Sequence, residues 1–208
     1  MHPILPLPVS PLLPWLNLAG LAVFAASGAL AAARARQTIV TFCFFAVVTG
    51  VGGGTTRDLL IGAPVFWLHD AGPILICLVV AGLVWASPRR WWSEHALDWF
   101  DALGLAAYAV YGAAKALSVG VAPLPAAIMG IVTACMGGII RDVVAGVPSI
   151  ILRPELYVTA TAVGAGLYVA LTLLGLPAPW PAVIGAVAGF TVRALAIARG
   201  WGLSPYRG

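Results

Sequence analysis

The sequence holds 208 residues, of which 62% are hydrophobic and only 9% charged, far below the roughly one-quarter charged share of a soluble domain; a water-facing globular surface is excluded. The formal net charge of +4 is spread along the chain without a basic stripe, which excludes nucleic acid as a partner. What remains is an all-α membrane protein, because several apolar runs reach the ~20 residues that cross a bilayer core.

Residues 1–12 carry Pro3, Pro6, Pro8 and Pro11, and Pro14 follows, a pattern that suits an extended lead-in to the first helix. The lead-in lacks the basic n-region of a cleavable signal and is expected to be retained. Seven spans are predicted, at 13–33, 38–60, 71–87, 97–118, 123–146, 154–176 and 180–199, with a short tail at 200–208. The first carries Asn17, Gly20 and Gly28. The second runs through Thr49, Gly52, Gly53, Gly54, Thr55 and Thr56 into Arg57 and Asp58. After the third come Arg89 and Arg90, then Trp91 and Trp92, as in an aromatic anchor at headgroup level. The fourth contains Asp101 and Lys115. The fifth runs through Thr133, Gly137 and Gly138 into Arg141 and Asp142, and the seventh contains Arg193 and Gly185-xxx-Gly189. Cys43, Cys77 and Cys135 lie in apolar runs without ligand spacing and read as small buried hydrophobes. No cofactor, metal site or enzymatic constellation emerges.

Shifted by 84 residues, the sequence aligns with itself. TGVGGGTTRDLLIGAPVFWL (49–68) meets TACMGGIIRDVVAGVPSIIL (133–152), with eight of twenty positions identical. The same shift sets Trp15 on Trp99, Gly20 on Gly104, Phe24 on Tyr108 and Gly28 on Gly112. Residues 13–92 and 97–176 are therefore two copies of a three-helix unit. Three spans is an odd number, so the second copy enters the membrane from the other side, which makes an inverted repeat. Arg34, Arg36, Arg89, Arg90, Arg153, Arg199 and Arg207 all fall on one face, and the loops of the other face have no Lys or Arg. The positive-inside rule puts the C-terminus in the cytoplasm and the N-terminus outside.

An Arg or Asp at the centre of a transmembrane helix costs about 2.5–3.5 kcal/mol on insertion scales, so Arg57, Asp58, Arg141 and Asp142 require partners. Neighbouring residues on a helix point in different directions, and the repeat offers a crossed arrangement instead: Arg57 with Asp142, Arg141 with Asp58. The glycine clusters before each pair are expected to break the second and fifth helices, freeing carbonyls that line a watery pathway. Lys115 has two readings, a side chain snorkelling to the interface or a charge that responds to membrane voltage. Arg193 is expected to snorkel to the cytoplasmic surface, and Asn17 and Asp101 to cap helices.

GGGTTRDLLIGAPVFW, GGIIRDVVAGVPSIILRPELY, FAASGA and YGAAKAL together resemble the trimeric intracellular cation channel (TRIC) family, in its bacterial branch. The resemblance implies a homotrimer among membrane lipids, with a potassium-permeable pore in each protomer. It makes Gly52, Gly53, Gly54, Gly137 and Gly138 pore kinks, Arg57, Asp58, Arg141 and Asp142 a pore charge network, and Lys115 the residue linked to voltage response. The long basic tail of animal members is absent, since the chain ends at SPYRG, so a reticulum location is not implied. If the carboxylates neutralise the arginines, Thr49, Thr55, Thr56, Thr133 and carbonyl oxygens are left to coordinate potassium with modest selectivity, because no TVGYG-like filter is present. Gly185 and Gly189 mark a close-contact motif for the trimer interface. Three competing readings are a secondary transporter of a small solute such as glycine, a purely structural scaffold, and an intramembrane aspartyl protease using Asp58 and Asp142. An Arg beside each carboxylate disfavours the shared proton that such a dyad needs.

Overall fold

The computed structural model describes residues 11–93 and 95–204; Pro3, Pro6 and Pro8 of the lead-in and Arg207 of the tail lie outside them. The described residues form seven α-helices: α1 (Leu13–Arg34), α2 (Ile39–Leu60), α3 (Gly72–Ala86), α4 (Ala96–Ser118), α5 (Pro123–Val144), α6 (Tyr157–Leu173) and α7 (Trp180–Arg199). Proline occupies the first or second position of α1, α3, α5 and α7, where its missing N–H costs nothing and its fixed φ favours the helix.

Among the described residues α1, α2, α5 and α7 are long and apolar enough to cross a membrane, while α3 and α6 are shorter at 15 and 17 residues. The most enclosed helix is α4, which packs on α1, α5, α6 and α7. That placement explains its charges: Asp101 is buried and Lys115 half-buried, each with a partner on a neighbouring helix. The outer surface presents Val40, Leu60, Leu75, Val79, Leu83 and Val187, all strongly exposed, as in a protein whose solvent there is hydrocarbon. The chain is a multi-pass membrane protein.

The two halves match element for element. Gly20 leaves space filled by the Tyr108 ring, and Gly104 leaves space filled by the Phe24 ring; the two rings lie 5.3 Å apart between α1 and α4. Here the glycines serve packing. Helices α2 and α5 end alike. Gly62 and Gly146 take left-handed φ values of 66° and 67°. Ala63 N–H then bonds the Asp58 carbonyl and Val147 N–H the Asp142 carbonyl, the hydrogen-bond pattern of a Schellman cap. Each cap turns the chain back over the Arg–Asp pair that precedes it.

Candidate functional site

The expected break at the glycine clusters is absent: α2 and α5 run as uninterrupted helices through Gly52–Gly54 and Gly137–Gly138. The glycines instead let the two helices touch. A Cβ on Gly53 would collide with the Thr133 carbonyl oxygen, and one on Gly137 would lie 2.6 Å from the Thr49 carbonyl oxygen. Backbone meets backbone at this antiparallel crossing, as small residues permit. The next glycine in each cluster has a different duty. Gly54 makes room for the Phe66 ring, and Gly138 for the Tyr157 hydroxyl and the Asp101 carboxylate.

The crossed ion pairs are also corrected. Arg57 bonds its own neighbour, with Nε 2.9 Å and Nη2 2.8 Å from Asp58 Oδ1. Arg141 does the same, with Nε 2.9 Å and Nη2 2.8 Å from Asp142 Oδ1. The Arg stem is long enough to fold back along the helix, which a rule based on Cβ directions misses. The crossed partners are out of reach because the pairs sit on opposite sides of the glycine crossing. At 1.5 Å per residue they are separated by roughly 15–20 Å.

Each pair anchors a cluster. At one end Lys115 Nζ donates to Asp58 Oδ1 at 2.7 Å, Phe66 N–H donates to Oδ2 at 3.1 Å, and the Arg57 guanidinium lies 5.0 Å over the Tyr111 ring. At the other, Arg141 Nη1 donates to Asp101 Oδ1 at 2.7 Å and to Ser27 Oγ, and Ile150 N–H donates to Asp142 Oδ2 at 2.8 Å. Both arginines are 1% exposed. A cavity of about 410 Å³ lies at the first end, between the start of α1 and the last turns of α4, and contains Asn17, Tyr111 and Lys115. A second of about 300 Å³ opens at the opposite end of α1, lined by Ala31, Asp98, Arg141 and Asp142 among others. Two vestibules thus lie at opposite ends of the glycine crossing, one lined by Arg141 and Asp142 themselves, the other reaching Lys115 and Tyr111, which contact the Arg57–Asp58 pair.

Comparison with known proteins bears on this arrangement. The family model described as a glycine transporter matches the chain twice, over residues 14–89 and 98–172, so its two copies start at the offset of the internal repeat. The UPF0126 inner membrane protein YadS of Escherichia coli K12 is 37% identical over 188 residues, 88% of this chain and 90% of that protein. A UPF0126 membrane protein of Vibrio cholerae is 41% identical over 155 residues, and the match spans 64% of its length. The solved structure of the TRIC trimeric intracellular cation channel orthologue from Rhodobacter sphaeroides superposes with a TM-score of 0.85 at 40% identity, covering 91% of this chain and 99% of that one.

The chain belongs to the TRIC family.

In this TRIC chain the four threonines do not act alike. Thr55 Oγ1 donates to Val51 O at 2.8 Å and accepts from Trp67 Nε1 at 2.9 Å. Thr56 donates to Gly52 O at 3.0 Å and Thr133 to Met129 O at 2.6 Å. These three hydroxyls close on their own helix, while the buried Thr49 hydroxyl beside the crossing has no hydrogen-bond partner among the described residues. Lys115 does not snorkel; it reaches inward to Asp58. Asp101 caps nothing and pairs with Arg141 instead. Arg193 is fully buried, 2.7 Å from Glu155 Oε2 and 5.3 Å over the Tyr157 ring, so it does not reach the cytoplasmic surface either. Gly185 and Gly189 are used within the TRIC protomer, packed on Gly164 and Ala160 of α6, and not as the expected contact between copies. Ser27, Tyr111 and Tyr157 lie within the motifs FAASGA, YGAAKAL and GGIIRDVVAGVPSIILRPELY, yet the sequence assigned them no role. Ser27 and Tyr111 occupy the same repeat position, each beside the arginine of the other half. The 84-residue shift, applied to neighbours as well as to identities, is the signal that finds this pair; Tyr157 falls on Pro73 and has no such signal.

Proposed function

We propose that the protein is a monovalent cation channel, permeable to potassium, with a pathway inside each protomer that joins the two vestibules past the α2–α5 crossing. The observation that carries this is the pair of cavities at opposite ends, each reaching a buried charge cluster. Family likeness supports it, because the Rhodobacter sphaeroides orthologue is a TRIC cation channel. The conformation described here is the closed one. Helices α2 and α5 must move apart at Gly53 and Gly137 before an ion passes, and Lys115 must leave Asp58 for the outer vestibule to widen. Thr49, whose hydroxyl is unengaged, then offers an oxygen to the ion together with the carbonyls of Thr49 and Thr133.

The halves are placed as an inverted repeat in the inner membrane. The Arg141 vestibule opens to the cytoplasm and the Lys115 vestibule to the outside, in keeping with the basic residues at Arg34, Arg89, Arg90 and Arg153. Three copies assemble within the lipid. No enzymatic role is assigned: the Asp58 and Asp142 carboxylates have separate partners at opposite ends and form no dyad.

Reconstituted in a planar bilayer with symmetric KCl, the protein should show unitary potassium currents. Saturable, coupled solute uptake with no resolvable unitary events would instead favour a secondary transporter. That second reading has its own support, in the glycine-transporter description of the family model and in two vestibules separated by a closed crossing, which also suits alternating access.

A further inference from the structure

The internal repeat is broken in charge at two positions that feed the buried clusters. Asp101 stands where the first half has Asn17, and Lys115 stands where it has Ala31. Neither difference is decorative. Asp101 bonds Arg141 at 2.7 Å, and Lys115 bonds Asp58 at 2.7 Å. The Arg57 cluster therefore contains two cations and one carboxylate, a formal +1, while the Arg141 cluster contains one cation and two carboxylates, a formal −1.

Further charges around the Arg141 vestibule are Arg34, Asp98 and Arg153, and behind Tyr157 the buried Arg193 is offset by its ion pair with Glu155. Arg34 and Arg153 are exposed, so salt screens them over about 8–10 Å, whereas buried charges are screened far less. Asp98, half-buried, adds a further negative charge on the inner side. Among the described residues lining the opposite vestibule, Lys115 is the only charged one.

We infer that the two mouths of the protomer are electrostatic opposites and that the conduction pathway rectifies, with Asp101 and Lys115 setting its direction. The inference rests on the channel reading above. A negative mouth raises the local cation concentration and a positive one lowers it, so the chief barrier to potassium lies near the Arg57 end. An ion arriving from the Arg141 end crosses most of the applied field before that barrier, and an ion arriving from the Arg57 end crosses little of it. Potassium therefore passes more readily from the Arg141 end to the Arg57 end than in reverse.

The test is the open-level unitary current, which is independent of gating, recorded at +100 and −100 mV in symmetric KCl. Because insertion occurs in both orientations, the larger amplitude is divided by the smaller for each insertion. The wild type is expected to give a ratio of at least about 2, well inside the roughly 50-fold that one full charge moved through 100 mV is worth. D101N/K115A gives both halves the charges of the first, and N17D/A31K gives both the charges of the second. Each is expected to bring the ratio close to unity, and either one suffices if the other does not fold. A wild-type ratio of unity, or a ratio that persists in the folded symmetrised variants, overturns the inference while leaving the channel intact. So does a ratio abolished by R34Q/R153Q, since the rim would then set the direction. A wild type that conducts no potassium at all overturns the channel reading itself, and this inference with it.

Discussion

At the scale of single residues, the four charges that looked too costly for a membrane are each satisfied at short range. Asp58 Oδ1 faces both Arg57 and Lys115, and its Oδ2 takes a backbone N–H. Asp142 receives an equivalent set from Arg141 and Ile150, but Arg141 has Asp101 as a second carboxylate. The two carboxylates are therefore not equal in weight. D58N leaves two cations facing no charged partner, whereas D142N leaves Arg141 still paired with Asp101. Removing one member of a buried pair costs about 3–5 kcal/mol when nothing replaces it. D58N is thus expected to approach that loss and D142N to fall well below it, read as midpoints of thermal unfolding of the purified protein in detergent. Equal losses would show that Asp101 does not sustain Arg141.

At the scale of helices, glycine means three things in this chain. At Gly53 and Gly137 a Cβ would strike the backbone of the facing helix, at Gly62 and Gly146 the φ is left-handed, and at Gly82 and Gly166 no atom of another group lies within 4 Å of an added Cβ. G53A or G137A is expected to push α2 and α5 apart, lowering the unfolding temperature and raising the open probability in bilayer recordings. G82A and G166A are expected to hold or improve stability, by up to about 1 kcal/mol each, because Ala is the better helix former. Sequence alone separates these classes poorly. Gly82 and Gly166 repeat at the 84-residue shift just as faithfully as Gly53 and Gly137 do. Repetition marks descent from a common unit, whereas the duty of a glycine depends on what lies opposite. For the same reason the clusters read as a helix break from the sequence and proved to be a helix crossing: low helix propensity and close approach call for the same residue.

At the scale of the whole molecule, more was legible. The seven helices and the offset of the duplication follow from apolar run length and from Gly-Gly-x-x-Arg-Asp recurring with its glycine and proline downstream. The pairing of charges did not follow, because it depends on which side of the crossing each pair lies, a distance between helices and not along them. Asp101 and Lys115 were visible as residues, yet their role emerged only with α4 enclosed by its neighbours. Topology remains a property of the whole, and thiol labelling in intact cells checks it. A cysteine at the position of Val119 should react with an impermeant reagent from outside, and one at the position of Arg89 only after the cells are opened. The reverse pattern would invert the protein in the membrane.

One helix stands outside the duplication. Helix α7 has no counterpart, yet it carries a guanidinium wholly enclosed by the second half, against Glu155 and Tyr157. It is also synthesised after the six helices of the two copies. Until it inserts, the face of α6 around Gly164 has no cover and Glu155 has no buried cation. Arg193 must then enter the bilayer with its carboxylate already in place, since a lone arginine there is unfavourable. The expected order of biogenesis is that the two copies dock first and the seventh helix closes the protomer as a keystone seated on the second copy.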